Sequence, residues 1–128
     1  MPENIAQQEK TRLMAAILLE HKAEDVVALH IGPLVSFAEY FIVASGRSSR
    51  HVRALAEHLR EEMARQGLRP LGVEGESDGT WILLDYNEVI VHVFHEPTRR
   101  FYDLESLWAD ARWLDLSSLS PPPGLPPQ

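Results

Sequence analysis

Two short stretches bring histidines and carboxylates close together in the sequence, as a metal site requires. In HVFHE, His92 and His95 are three positions apart, and on a strand two side chains at that spacing point to opposite faces. HLREE contains part of an inverted zincin motif, but Glu62 stands where the motif needs a second histidine. Asp85 and Glu88 could form a carboxylate pair, yet the spacing brings no third ligand to them. We therefore expect neither a metal ion nor a cofactor.

A second chemical possibility is the turn from Gly46 to Arg50, GRSSR, which is predicted to join a strand to the N-terminus of a helix. Such a junction can bind anions through its free N–H groups, and Arg47 lies within it. The turn has neither a Walker pattern nor G-x-G-x-x-G, and Ser48 or Ser49 is suited to cap the helix. The capping interpretation is favoured. A residual nucleotide-binding or nucleotidyl-transfer enzyme that uses this turn is the alternative function.

The net charge of −7 is concentrated in the second half of the chain. Residues 1–70 carry nine Lys or Arg and nine Asp or Glu, whereas residues 71–128 carry three Arg and ten Asp or Glu. Between residues 71 and 98 there is no Lys or Arg. Such a surface repels nucleic acid and attracts a basic protein, although an acidic face that serves only solubility has the same composition. We expect no direct nucleic-acid specificity.

Length and composition indicate a small protein of the cytoplasm. The 128 residues suffice for one core, and without cysteine the chain can form no disulfide and suits a reducing compartment. No apolar run approaches the roughly 20 residues that span a bilayer, and the N-terminus has no signal-peptide pattern. We expect one domain over residues 1–116, a disordered Pro/Ser-rich tail over residues 117–128, and no membrane partner.

Hydrophobic periodicity and turn residues predict an α/β domain in the order α-β-β-α-β-β-β-α. The predicted elements are a helix over 7–22, strands over 25–31 and 38–45, a helix from Ser48 or Ser49 to Gln66, strands over 70–75, 80–86 and 88–95, and a helix over 97–111. The helical crossover favours a third strand parallel to the second. The sequence thus predicts a mixed sheet of about five strands with helices packed against it.

The last two strands are predicted to form a hairpin with a two-residue turn at Tyr86 and Asn87. One face of this hairpin is aliphatic and belongs against the helices. The other face pairs Trp81 with His92, Leu83 with Ile90, and Asp85 with Glu88. Facing carboxylates repel each other unless a cation arrives, and aromatic side chains beside charge are typical of protein interfaces. We expect this face to bind another protein or to be covered by a helix or a second copy of the chain.

Five longer motifs occur in order between residues 24 and 108. They are Gly-x-Ser-Ser-Arg-His, Glu-Gly before a Trp-containing strand, Asp-Tyr, Val-His-Val, and Arg-x-Tyr-x-Leu-Glu-x-Leu-Trp. In these motifs the chain resembles the ribosomal silencing factor family, also called Iojap-like proteins. The resemblance implies a nucleotidyltransferase-like domain that has lost catalysis. It also implies binding to the fourteenth protein of the large ribosomal subunit (uL fourteen), which blocks joining of the small subunit and represses translation when nutrients are scarce.

The resemblance and the hairpin face together suggest which residues contact the ribosomal protein. They are Glu74, Gly75, Trp81, Leu83, Asp85, Tyr86, Glu88, His92, Arg100 and Tyr102. The acidic members would steer a basic partner, and Trp81 and Leu83 would anchor it. The family resemblance further suggests a homodimer when the chain is free of the ribosome.

Three positions depart from the family pattern. Ala38 and Glu39 stand where the family has Ser/Thr-Asp at the start of the second strand, and Arg47 replaces a small polar residue. A nucleotidyltransferase needs a pair of acidic residues after its Gly-Ser, and none follows Gly46. This absence favours a binding protein over an enzyme.

Overall fold

Ten helices and strands make up the computed structural model, which describes residues 2–117 and 119. They are α1 (Pro2–Glu20), β1 (Glu24–His30), β2 (Tyr40–Gly46), α2 (Ser49–Arg65), β3 (Gly72–Glu74), β4 (Trp81–Asp85), β5 (Val89–His95), α3 (Glu96–Tyr102), α4 (Leu104–Leu107) and β6 (Arg112–Leu114). The α/β class and the order of the first eight elements are confirmed. The tail predicted to be disordered, 117–128, lies outside the described residues except for Ser117 and Leu119.

The strands form one mixed sheet in the order β3-β4-β5-β2-β1-β6. Strand β2 pairs in parallel with β5, and every other pairing is antiparallel. Strand β3 runs in the same direction as β2, as predicted, because it is antiparallel to β4, β4 is antiparallel to β5, and β5 is parallel to β2. It does not pair with β2, since β4 and β5 lie between them. Seven-residue β5 is almost wholly buried and suits the centre of a sheet, whereas the three residues of β3 are largely exposed and suit an edge.

The sheet has six strands instead of the predicted five because residues 112–114, to which no element was assigned, pair with β1 as β6. The last helix is also shorter than expected. Asp103 takes a left-handed conformation at φ 48° and ends α3, and Asp tolerates this region better than most residues. One turn of α4 follows, and the chain then returns as β6, whose Arg112 pairs with His30 of β1. The predicted continuous helix over 97–111 is thus wrong.

Helices α1 and α2 pack on one face of the sheet and form the larger core. The buried stripe of α2 is the predicted one, namely Val52, Leu55, Ala56, Leu59 and Met63. The helix begins as expected, because the Ser48 hydroxyl accepts a hydrogen bond from the His51 N–H at 3.0 Å. It ends before Gly67, whose φ of +83° is readily adopted only by glycine. None of the helices in the described part of the chain is long and apolar enough to cross a bilayer.

The hairpin of β4 and β5 is offset by two residues from the prediction. Its turn lies at Asn87 and Glu88, since Tyr86 N–H donates to the Val89 carbonyl at 2.9 Å and Asn87 takes φ 73°. Asparagine is favoured at a left-handed turn position. The observed pairs are therefore Trp81 with Phe94, Leu83 with His92, and Asp85 with Ile90. A two-residue offset leaves each side chain on its predicted face, so the faces are right and the pairs are wrong.

A candidate partner-binding face

The second face of the sheet is lined by aromatic side chains from three strands and the C-terminal helices. Its centre is Phe41 of β2, His92 and Phe94 of β5, and Trp81 of β4. Successive ring centroids are 4.7 Å apart between Phe41 and His92 and between Trp81 and Phe94. The residues Phe41, Trp81, Leu83, Ile90, His92, Phe94, Tyr102 and Trp108 are hereafter called the aromatic face. Helices α3 and α4 cover only part of it.

Trp81 is held in place on this face by polar and aromatic contacts. Its indole Nε1–H donates to His92 Nδ1 at 3.2 Å. The ring stacks on Phe94, and the Tyr102 ring lies 4.9 Å away on the other side. Trp81 nevertheless remains partly exposed. An indole fixed in orientation and open to solvent can bind a partner with little loss of conformational entropy.

His92 is a neutral imidazole at neutral pH. It is 4 % exposed, and burial lowers its pKa from 6.5 to about 4. Because Nδ1 accepts from Trp81, the proton lies on Nε2. This Nε2–H is buried and has no hydrogen-bond partner among the described residues. The histidine therefore orients Trp81 and contributes no positive charge to the face.

A shallow groove runs between Trp81 and helix α3. Its volume is about 360 Å³, and it is lined by Thr80, Trp81, Pro97, Thr98, Phe101 and Tyr102. No residue of helix α3 is fully buried, and Phe101 and Tyr102 are 80 % and 51 % exposed. Exposed aromatic rings beside a groove are unusual on a solvated surface and typical of binding sites.

Acidic side chains lie on the β3 side of the aromatic face. Glu74 pairs with Leu83 across β3 and β4, so its exposed carboxylate shares the face. Asp85 lies two residues farther along β4, and its carboxylate accepts the Asn87 N–H at 2.8 Å. Asp85 is opposite Ile90, so the predicted repulsion between Asp85 and Glu88 across the hairpin is wrong. The result is an apolar surface with an acidic rim.

Two of the predicted contact residues lie away from the aromatic face. Tyr86 points to the helix-covered side, is 5 % exposed, and has its hydroxyl pKa raised by burial. Glu88 in the turn forms an ion pair with Lys10 of α1 at 3.0 Å. That hydrogen bond lowers the pKa of the Glu88 carboxyl. Both residues therefore connect the hairpin to the helical layer.

Gly75 supports Trp81 through the backbone. It takes φ +88°, and a Cβ at this position would lie 2.0 Å from the Trp81 carbonyl oxygen. Only glycine permits this approach. Gly75 therefore allows the close backbone contact that places the start of β4.

The two neighbouring arginines of α3 have different environments. Arg99 is largely buried and donates to Glu105 at 2.7 Å, to the Ser45 hydroxyl at 2.8 Å and to the Asp25 carbonyl at 2.7 Å. It ties α3 to β1 and β2 beside the aromatic face. Arg100 is exposed and pairs with Glu96 one helical turn away, so it remains accessible to a partner.

Phe41 and Phe94 of this face, and Phe101 of the adjacent groove, were not among the predicted contact residues. Phe94 could have been found from the alternation Ile90, His92, Phe94 along β5. No local pattern marks Phe41, because β2 is buried on both faces and its sequence does not alternate.

Polar groups of the Gly46–Arg50 turn form hydrogen bonds with other groups of the protein. The Arg47 N–H donates to His51 Nδ1 at 3.0 Å, and the Arg47 guanidinium pairs with Glu24 at 3.0 Å. Together with the Ser48 cap, these contacts occupy donors that an anion would need. They support the capping interpretation of GRSSR.

Comparison with known proteins gives the family. A family model described as "Ribosomal silencing factor during starvation" matches residues 4–125. This chain belongs to the ribosomal silencing factor family. It is 35 % identical over 115 residues to ribosomal silencing factor RsfS of Halalkalibacterium halodurans, covering 90 % of this chain and 98 % of that protein.

More distant similarity and known structures agree with this assignment. The mouse protein named mitochondrial assembly of ribosomal large subunit protein 1 is 26 % identical over 99 residues, which are 75 % of this chain and 43 % of that protein. A crystal structure of a Bacillus halodurans protein superposes with a TM-score of 0.76 at 34 % identity, covering 85 % of this chain and 99 % of the other. The fold of this silencing factor family member is thus shared with a solved structure.

Proposed function

We propose that this chain binds uL fourteen of the large ribosomal subunit through its aromatic face and blocks joining of the small subunit. It thereby represses translation when nutrients are scarce. Its family membership supports a ribosomal role, and the name of the mouse relative supports the large subunit as the partner. The observation that carries the choice of surface is the partly exposed Trp81, held between His92, Phe94 and Tyr102.

The charge around Trp81 fits a basic partner. Glu74 and Asp85 lie on the same face of the sheet as Leu83, and the segment from 71 to 98 contains no Lys or Arg. Ribosomal proteins bind RNA and are generally basic, so the acidic rim would attract one and repel RNA. The apolar centre would then supply most of the binding energy.

The proposed contact set follows from these positions. Trp81 and Leu83 are the apolar anchors, Glu74 and Asp85 are the rim charges, and Tyr102 closes the groove beside Trp81. Arg100 extends the surface on α3. His92 and Gly75 act through Trp81, whereas Tyr86 and Glu88 support the hairpin from the helical side.

The proposed action is by binding, and the chain is proposed not to be an enzyme. In a nucleotidyltransferase-like domain the nucleotide would meet the Gly46–Arg50 turn, where Ser48 caps α2 and Arg47 pairs with Glu24. We place the protein in the cytoplasm, where its proposed ribosomal partner resides.

The free chain is further proposed to form a homodimer through the aromatic face together with the exposed side chains of α3 and α4 beside it. Phe101 and Leu107 are 80 % and 73 % exposed, and a second copy would remove them from water. Dimer and ribosome would then compete for one surface, so the monomer concentration would regulate binding. Sedimentation velocity over a range of concentrations tests this, and a strictly monomeric protein would contradict it.

The decisive experiment is co-sedimentation with isolated large subunits, isolated small subunits and assembled ribosomes. We expect binding to large subunits only, together with loss of subunit re-association. Trp81→Ala is expected to weaken both effects strongly. Trp113→Ala is the matched control, because it removes another exposed indole at the opposite edge of the sheet. Absence of binding to every particle, or equal loss in both variants, would refute the proposed surface.

A further inference from the structure

A cluster of histidines and carboxylates lies where the end of α1 meets α2, on the opposite side of the sheet from the aromatic face. It contains Glu20 and His21 from α1 and the turn that follows, and His58 and Glu62 from α2. The side chains of Glu20, His21 and Glu62 are 29 %, 26 % and 32 % exposed. They are thus accessible to a small ion and are partly shielded from water.

The distances in this cluster fit a metal ion. His21 Nε2 lies 3.2 Å from Glu62 Oε2 and 4.0 Å from Glu20 Oε1. The three ligand atoms all lie within 4.8 Å of one another. A tetrahedral ion with bonds of about 2.0–2.1 Å separates its ligand atoms by about 3.4 Å. The spacing of His21 and Glu62 therefore requires little adjustment to receive one.

The ring and backbone of His21 are both held in place. Its imidazole stacks on His58 with centroids 3.9 Å apart and planes 5° from parallel. Its backbone carbonyl accepts a hydrogen bond from His51 Nε2 at 3.1 Å. The Arg47 N–H donates to the other nitrogen of His51, which fixes the proton on Nε2. A ligand oriented by such contacts binds metal more tightly than a mobile one.

The charge of the cluster is not balanced by basic side chains. In the part of the chain that the structure describes, the ion pairs of Glu20, Glu61 and Glu62 involve only His21 and His58. With a neutral His21, the ligand set carries two negative charges. A divalent cation would neutralise them.

We propose that Glu20, His21 and Glu62 form a binding site for a borderline divalent cation such as zinc. One imidazole and two carboxylates suit zinc, nickel or cobalt better than magnesium, which prefers oxygen ligands alone. His58, one turn before Glu62 on α2, stacks on the His21 ring and supports its orientation. The bound ion joins α1 to α2 and stabilises the native state. This site is independent of ribosome binding.

Sequence spacing alone could not reveal this site. HLREE contributes the ligand Glu62 and the stacking residue His58. The other ligands, Glu20 and His21, lie at the end of α1, and His21 is 41 positions before Glu62. The proposed site departs from the expectation of no metal ion, which considered only ligands close together in the sequence; HLREE itself supplies only part of the ligand set.

Zinc titration of the untagged protein tests the proposal by calorimetry and thermal unfolding. We expect one zinc ion per chain and a rise in melting temperature of about 5 °C or more at saturation, with no comparable effect of magnesium. His21→Gln and Glu62→Gln should each reduce zinc affinity at least tenfold. Their unfolding without metal is measured in parallel, so that a loss of fold is recognised.

The matched control is His30→Gln. His30 forms a similar pair with Glu39 at 3.3 Å but belongs to none of the three-ligand groups in the described residues. It should bind zinc like the unmodified chain. The proposal is overturned by an absence of zinc binding, by equal responses to zinc and magnesium, or by zinc binding that persists in both His21→Gln and Glu62→Gln.

Discussion

The indole N–H of Trp81 donates to Nδ1 of His92 at 3.2 Å. This hydrogen bond joins side chains of two neighbouring strands on the open face of the sheet. This bond fixes the direction of the largest exposed ring in the proposed binding surface. It also requires His92 to remain neutral, because a protonated imidazole has no acceptor to offer. The proposed partner binding would therefore depend on the protonation state of His92.

Replacement of Trp81 by alanine should weaken binding to large ribosomal subunits. We expect a loss of about 2 kcal/mol or more, roughly a 30-fold rise in Kd, as for a buried aromatic anchor. Filter or sedimentation binding gives the Kd, and circular dichroism checks the fold. A correctly folded Trp81→Ala protein with unchanged affinity would contradict the proposed role, whereas Trp113→Ala should leave the Kd within about twofold.

His92 should make the native state less stable in acid. Its pKa is about 4 when folded and 6.5 when exposed, so between these values the unfolded chain binds more protons. The free energy of unfolding should consequently fall as pH decreases from about 6.5 to about 4, by about 3 kcal/mol from this group. Above pH 6.5 the group contributes no pH dependence.

Urea unfolding at several pH values measures this dependence. His92→Gln retains an acceptor for the indole but cannot be protonated, so its unfolding free energy should vary less over this range. The comparison removes the contribution of carboxylates, which titrate in both proteins. Identical pH profiles would show that His92 does not titrate as its burial implies.

Arg99 should be a major stabilising residue of the C-terminal segment. Its guanidinium is 11 % exposed and joins α3 to Glu105, Ser45 and the β1 backbone. Arg99→Ala leaves Glu105 without its cation, and we expect a loss of about 3 kcal/mol in unfolding free energy. Arg100→Ala is the control, since Arg100 is 74 % exposed and its pair with Glu96 should contribute less than about 1 kcal/mol. Similar losses in the two variants would be inconsistent with this view.

Gly75→Ala should disturb both stability and binding. The added Cβ would meet the Trp81 carbonyl at 2.0 Å, in addition to the strain of φ +88°. Gly67→Ala shares a positive φ of +83° but meets no atom within 4 Å, so it reports the strain alone, about 1 kcal/mol. In thermal unfolding, the melting temperature of Gly75→Ala should be well below that of Gly67→Ala. Equal melting temperatures would mean that the backbone contact has no cost.

The two faces of the hairpin could be predicted because side chains alternate along a strand whatever its partner. Trp81, Leu83 and Asp85 were therefore placed together from their spacing. The pairs across the hairpin could not be obtained in this way. They depend on which turn residue takes a left-handed conformation. In the observed turn this residue is Asn87, which stands at the first turn position. The predicted turn had Asn87 at its second position.

By itself the sequence determined the α/β class, the buried stripe of α2, the acidic character of the segment from 71 to 98, and the motifs that indicate the family. These depend on residue type and short periodicity, which the chain carries locally. The tertiary structure decided the place of β3 at the edge, the added strand β6, the anchoring of α3 by Arg99, and the meeting of His21 with Glu62. Each of these joins residues far apart in sequence, and their pairing depends on how the whole chain packs.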